Sequence, residues 1–531
     1  MGAFVTITKH TTTSKPYPHV LYVVEFVLEG THVVIERRYS EFVALHEALG
    51  DEFPIPPKRL LLTSLIPSAW VDDELIAERK AGLAKYLSAL LWSPEYQKAA
   101  VFQDFITRNG INPASGVDFE DVLPSVFLGN HGALSKNLAM GGFLSAAHYP
   151  EWAMDSIPPE SLDYSRFDIL FFGFVTPNAS STIEWALDVI SKLKRLIQSA
   201  KLSGAGTKIV LSIGGWEGSQ WFSHVCSTAV NRMTFVEAVV NAVKTYDLDG
   251  IDIDWEFPNS KGSGNPYSPN DAANFLHLIQ SLRTALGSSK IISAAVGHTP
   301  WLGSNGLPLT DVSSFAENLN FIHIMNYSVW ATSSPGANSP LYNSGNLQST
   351  AEAAFSKWSG ARFPASQIML GLPLFGYVFK SRKTSLDAGK RLAMDYSVNA
   401  LKDAAVKFKG AHEETLVEDS SDVMRPRLTL ASWWGRPVPF KSIVKAGALV
   451  KRFDGNYGQG DGYNLAWDDA SATPYLFNHD KKTLVTFDNT RSLAAKVKFA
   501  QANGMAGCST WSLDQDDGYT LHDVIRTAMG K

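Results

Sequence analysis

From Met140 onward, short apolar runs alternate with helical stretches, and eight such runs occur in order: GGFLSA, ILFFGFV, KIVLSIGG, GIDIDWEF, IISAAV, FIHIMNY, IMLGLPLFG and GMAGCSTWSL. Their near-continuous apolar character suits strands covered by helices outside and packed side chains inside, rather than strands with one wet face. Eight βα alternations predict an α/β fold of the closed parallel (β/α)8 type, the TIM barrel. Roughly 125 residues separate the seventh run from the eighth, far more than a βα connection needs, which predicts an inserted α+β subdomain over 378–465.

The first 108 residues follow a different pattern. Strand-like runs FVTITKH, VLYVVEFVL and HVVIERRYSEF lead to a Pro-rich turn, FPIPPKRLL, and then to a helix opened by Asp72 and Asp73, the outline of a small α+β domain at 1–108. Residues 109–139 mix Asn, Gly, Pro and Ser with few periodic apolar positions and read as a linker, leaving 140–531 for the barrel. Lys and Arg total 47 against 52 Asp and Glu, a formal net charge of -5. No global basic field exists to hold nucleic acid. The two cysteines, Cys226 and Cys508, form neither a disulfide framework nor a zinc-type pair, and no metal or cofactor is expected. The N-terminal MGAFVTITKHTTTSKP lacks a continuous apolar core and no window reaches the roughly 18 apolar residues of a membrane span, so neither a secretion signal nor a spanning helix is expected.

The segment DGIDIDWE sets Asp252, Asp254 and Glu256 at i, i+2 and i+4, one face of a strand, with Asp249 three residues earlier. On a barrel strand the inward face meets the active site at the C-terminal end. A like-charge column there shares protons, and crowding raises at least one carboxyl pKa, as a general acid at neutral pH requires. Ile251, Ile253, Trp255 and Phe257 alternate with the acids as buried partners. A calcium site is the rival reading, but six to eight oxygens are not supplied by one strand face.

These four acids in register match the Asp-x-x-Asp-x-Asp-x-Glu signature of the family-18 glycoside hydrolases, the chitinases. The resemblance extends over about 140–528 and includes LSIGGW ending at Trp216, MNY at Met325 to Tyr327, WDDASATPYLF from Trp467, and Trp511 on the last run. It implies retaining hydrolysis of β-1,4-linked N-acetylglucosamine, in chitin or chitooligosaccharides, by substrate assistance. Glu256 is then the acid, Asp254 orients the acetamido group, Asp252 shares a proton with Asp254, and Tyr327 bonds the acetamido oxygen. Trp511, Met325, Trp216, Asp249 and Ser328 are the implied substrate-binding set, and Trp330 lies just past a predicted strand end. Ser328 stands where the family carries Asp or Asn, and Phe375 and Tyr377 stand where Tyr and Arg are frequent. The implied outcome is slower hydrolysis, with a non-catalytic glycan-binding lectin as the alternative. The insertion resembles the small subdomain that deepens the cleft in many chitinases.

In the first domain, RRY (Arg37 to Tyr39), PPK ending at Lys58, and Arg79 surround the Pro-rich turn. Arg79 lies four residues from both Leu75 and Leu83, so it shares an apolar helix face and wants a partner there. Together these residues resemble a PX domain, a phosphoinositide-binding module. That resemblance implies phosphatidylinositol 3-phosphate as ligand, with Arg38 on the 3-phosphate, Tyr39 under the inositol, Lys58 on the 1-phosphate and Arg79 on the ring hydroxyls. It further implies a cytoplasmic protein, peripheral on endosomal membranes. An extracellular barrel is the alternative if two neighbouring genes have been joined.

Overall fold

In the computed structural model the described residues are 4–13, 19–28, 31–51, 53–56, 73–107, 142–186, 188–329, 335–342, 349–387 and 429–531. Lys58, Trp330 and the whole 109–139 stretch fall outside them. The chain divides into two compact units, residues 1–134 and 135–531.

The first unit carries an antiparallel sheet of β1 (Phe4–Thr13), β2 (His19–Leu28) and β3 (Thr31–Arg37). Helices at 39–49, 73–92 and 100–107 pack on it. Tyr22, Val24 and Phe26 alternate inward from β2 and meet Phe42, Leu83, Leu87, Phe102 and Phe105 in one core. The sequence pattern predicted strand through YSEF; instead β3 ends at Arg37 and Tyr39 begins a helix. Arg38 is extended at the N-cap and its backbone N–H donates to the Glu41 carboxylate (3.2 Å), so the first turn is capped from within. The Arg37 guanidinium is buried and donates to the Phe105 carbonyl (2.6 and 3.2 Å). It therefore joins β3 to the helix at 100–107.

In the second unit eight parallel strands close a barrel. They are β4 (Leu144–Pro150), β5 (Ile169–Pro177), with the short antiparallel β6 (Ile183–Glu184) on its end, β7 (Lys208–Gly214), β8 (Gly250–Asp254), β9 (Ile291–Val296), β10 (Phe321–Ile324), β11 (Ile368–Pro373) and, after the insertion, a final strand at Gly507–Trp511. The final strand pairs with both β11 and β4, and β4 with β5, so no parallel edge remains. Each of the eight predicted runs supplies one of these strands. Ile251 and Ile253 point to the covering helices and are fully buried, while Trp255 stacks on Phe222 (5.4 Å).

The insertion leaves directly from β11. Its sheet, β12 (Phe375–Lys380), β13 (Arg436–Pro439), β16 (Asn464–Asp468), β17 (Thr473–Asn478) and β18 (Thr483–Thr486), is antiparallel in the order β13-β12-β18-β17-β16. A ribbon of β14 (Leu449–Lys451) and β15 (Tyr457–Gln459) lies between β13 and β16 in the chain. The described sheet thus begins at Phe375 and ends at Thr486, and a helix at 490–502 returns the chain to the final strand, β19. WDDASATPYLF forms the β16–β17 hairpin, with Trp467 opposite Pro474.

Candidate active site

Strand β8 lies between β7 and β9, and the register sets Asp252 opposite Ser212 on one side and Ser293 on the other. Both hydroxyls donate to its carboxylate, Ser212 to Oδ2 (2.8 Å) and Ser293 to Oδ1 (2.7 Å). His323 on β10 brings Nε2 to 3.0 Å from Oδ1. Asp252 is fully buried. Burial pushes its pKa up, but the neighbouring His323 and His148 and the Ser293 hydroxyl outweigh that and hold it below the usual carboxylate range.

Asp254 ends β8 one inward step nearer the mouth. Burial, and then the charges of Glu256 and Asp252, push its pKa well up. Its Oδ1 is buried without a hydrogen-bond partner among the described residues. Glu256 lies just beyond the strand end and is partly exposed. Desolvation by the surrounding walls pushes its carboxyl up to about 8, so it is protonated at neutral pH. The loop after β7 splints this strand end. Gly215 N–H donates to the Asp254 carbonyl (2.8 Å), and Ser219 Oγ accepts the Glu256 N–H (2.9 Å). At Gly214, φ is +114° and a Cβ would stand 2.3 Å from the Asp254 carbonyl oxygen, so GGW needs a glycine there.

Tyr327 follows β10 and faces the same column. Burial, then Asp254 and Glu256, push its phenol well above the ordinary range. Trp511, at the end of β19, is ringed by His148 (5.1 Å), Phe174 (5.8 Å) and Trp152 (6.4 Å). The insertion sheet supplies a wall: Phe375, Tyr377, Phe379 and Leu484 form a cluster against which Tyr327 and Trp511 pack. Ser328, at φ +58°, gives its N–H to Asn338 Oδ1 (2.9 Å), and its hydroxyl accepts from Tyr377 (3.3 Å). The two departures from the family pattern are therefore in contact and form one neutral pair. Met325 is partly buried at the end of β10, and Trp216 is buried just past β7 with an unpartnered Nε1 among the described residues.

Asp249 does not belong to this set. It precedes β8 at the opposite end of the barrel, where Oδ2 accepts the Ile209 N–H (2.9 Å) and Oδ1 pairs with Lys208 (3.0 Å). Its acid tethers the starts of two strands, which explains the spacing without substrate. Conversely, Ser219, Ser293, His323 and His148 carry no motif of their own. They meet the acids only through barrel register and loop return, and Ser212 lies inside LSIGGW without a distinguishing signal.

In the N-terminal unit, Tyr39 and Arg79 come together, and Arg38 is buried beside Tyr39 in the chain. The Arg79 guanidinium lies 4.3 Å from the Tyr39 ring centre, and the Tyr39 hydroxyl donates to the Pro56 carbonyl (2.5 Å). Arg79 is buried, and that ring is a partner to its guanidinium.

Residues 145–516 match the family described as Glycosyl hydrolases family 18. The chain belongs to that family. Residues 28–109 match the PX domain, so a chitinase-type barrel is joined to an N-terminal PX domain. A chitinase-like effector of Moniliophthora perniciosa is 31% identical over 414 residues, covering 76% of this chain and 90% of that protein. Chitinase A1 of Niallia circulans is 25% identical over 366 residues, 64% of this chain and 45% of the relative. The crystal structure of a chitinase from Rhizomucor miehei superposes with a TM-score of 0.58 at 28% identity, covering 72% of this chain and 99% of that one. Family 18 membership implies a chitin-type substrate, and the PX domain implies peripheral membrane association. Among the described residues no helix is long and apolar enough to cross a membrane.

Proposed function

We propose that the barrel hydrolyses β-1,4-linked N-acetylglucosamine chains with retention, while the PX domain holds the protein on cytoplasmic membranes bearing phosphatidylinositol 3-phosphate. The observation that carries the first part is the graded column: Asp252 held anionic at the base, Asp254 buried with an unpartnered oxygen, and Glu256 protonated to about 8 at the mouth. Glu256 gives its proton to the glycosidic oxygen as the bond to C1 breaks. The substrate's acetamido oxygen closes on C1 to form an oxazolinium ion, its N–H donating to Asp254, whose buried Oδ1 has no other partner among the described residues. Tyr327 bonds the acetamido oxygen. Water then attacks C1, returns a proton to Glu256 and leaves the β-anomer. The Trp511 ring is the sugar platform, and Trp216 Nε1, unpaired among the described residues, suits a sugar hydroxyl farther along the cleft.

A second reading, a glycan-binding barrel without turnover, is favoured by the neutral Ser328–Tyr377 pair and by relatives named chitinase-like effectors. Proton NMR of full-length protein with chitotetraose separates the two. Early accumulation of β-anomeric products supports retaining hydrolysis, whereas a tetramer that binds and stays intact supports the second reading.

A further inference from the structure

The barrel interior beneath the acid column holds an aromatic stack that the hydrolytic steps above do not use. His148 on β4 and His323 on β10 both pack against Phe171 from β5, with ring centres at 4.8 and 5.2 Å and planes tilted by only 29° and 24°. The imidazoles also meet each other at 5.2 Å, and His148 meets Trp511. All three stack members are buried. His148 Nδ1 lies 3.2 Å from the Thr510 carbonyl, which only an N–H satisfies. Burial and the neighbouring His323 push His148 down to about 3, so it is a neutral ring with Nδ1 protonated. His323 turns Nε2 to Asp252 Oδ1 at 3.0 Å. The ligating atoms of His148, Asp252 and His323 lie within 4.8 Å of one another. The hydrogen-bonded separation between His323 and Asp252, with both Asp252 oxygens already bonded to serines, is that of a shared proton rather than a bridging ion.

We propose that His323 is a positioning residue. Its Nε2–H, locked in place by the Phe171 and His148 stack, holds Asp252 as a permanent acceptor and confines the exchangeable proton of the column to Asp254 and Glu256. The groups facing Asp252 are His323 from β10, His148 from β4, the hydroxyls of Ser212 and Ser293 from β7 and β9, Asp254 and Glu256 along its own chain, and the Tyr327 phenol above. Of these, the two serines are neutral at all working pH values and would still bond a protonated Asp252. His323 is the donor whose loss lets Asp252 take the proton. A neutral Asp252 no longer repels charge on Asp254 and Glu256, and Glu256 then gives up its acid proton at lower pH.

Two measurements test this, the kinetic one resting on the chitinase reading. In long-range 1H–15N NMR of the 15N-histidine-labelled full chain, His323, assigned by its loss in His323→Gln, should carry its proton on Nε2 at pH 7. In kcat/KM profiles on a chitobiose glycoside, His323→Leu should move the basic limb down by roughly one pH unit, the scale of one lost neighbouring charge. His323→Gln, which keeps a neutral donor, should restore it. An unprotonated Nε2, a Leu profile that superimposes on wild type, or a Gln variant displaced as far as Leu overturns the proposal. If His323→Leu does not fold, the Gln profile and the wild-type resonance still decide. If wild type is silent on the glycoside, the chitinase reading falls and the resonance alone decides the role of His323.

Discussion

Replacing Lys496 by Met tests whether the barrel holds its insertion and active-site loop through a buried ion pair. Lys496, on the helix at 490–502, and Asp488 are both fully buried and bonded to each other, and Lys496 Nζ also donates to Ser339 Oγ (2.9 Å). Ser339 in turn bonds the Asn326 carbonyl, and its neighbour Asn338 holds the Ser328 N–H and donates to the Phe375 carbonyl (2.9 Å). Met fills the space of the lysine stem but leaves the Asp488 carboxylate buried with no cation, and its Oδ2 already lacks a partner among the described residues. Breaking a buried pair from one side costs about 3–5 kcal/mol, because the stranded charge keeps its desolvation penalty. With a urea m-value of about 3 kcal/mol/M, the unfolding midpoint should fall by roughly 1–1.7 M. Tryptophan fluorescence is a fitting probe, since 12 of the 14 tryptophans follow residue 110 and so report on the barrel. Adding Asp488→Asn to Lys496→Met removes the stranded charge and should recover part of the loss. A single-variant cost below about 0.5 kcal/mol, or a double variant less stable than the single, would refute the reasoning.

Glu256→Gln should melt above wild type at pH 8.5 and level with it at pH 5. The folded-state pKa of Glu256 is raised to about 8, so the native protein gains stability from the bound proton and loses it as pH rises through that value; equal melting temperatures at both pH values would contradict the shift. Ser328→Asp fits the φ of +58° that Asp tolerates and adds a carboxylate beside Tyr377, so the basic limb of kcat/KM should move up, and an unmoved limb would show that the neutral pair leaves the acid untouched. Arg38→Ala should abolish sedimentation with vesicles containing phosphatidylinositol 3-phosphate while plain phosphatidylcholine vesicles bind neither protein; equal binding by the variant would remove Arg38 from the lipid site.

The eight barrel strands were legible because each is a continuous apolar run bounded by helical sequence, a pattern that local chemistry alone produces. The acid column was legible for a related reason, since period-2 spacing on one strand places Asp252 and Asp254 inward without reference to any other element. What surrounds those acids was not legible. Ser293 and His323 reach Asp252 across neighbouring and next-neighbouring strands, and that adjacency exists only once the barrel closes. The same limit explains Asp249, which shares the acidic segment but precedes the first residue of β8 and so falls at the other end of the barrel. In the N-terminal unit, Tyr39 to Phe42 continue an alternating pattern, but the Glu41 side chain closes a cap on Arg38 and turns them into a helix. The contact between Ser328 and Tyr377, 49 residues apart, joins two departures that look independent in sequence.

The most direct test of the account is turnover of a fluorogenic chitobiose glycoside by full-length protein beside its Glu256→Gln variant, with folding of both verified by circular dichroism. The graded carboxyl column predicts release by wild type at neutral pH and loss of at least about a hundredfold in the variant, the usual scale of a general acid's contribution. Release that is unchanged by Glu256→Gln, or a folded wild type that binds chitooligosaccharide and releases nothing, would contradict it.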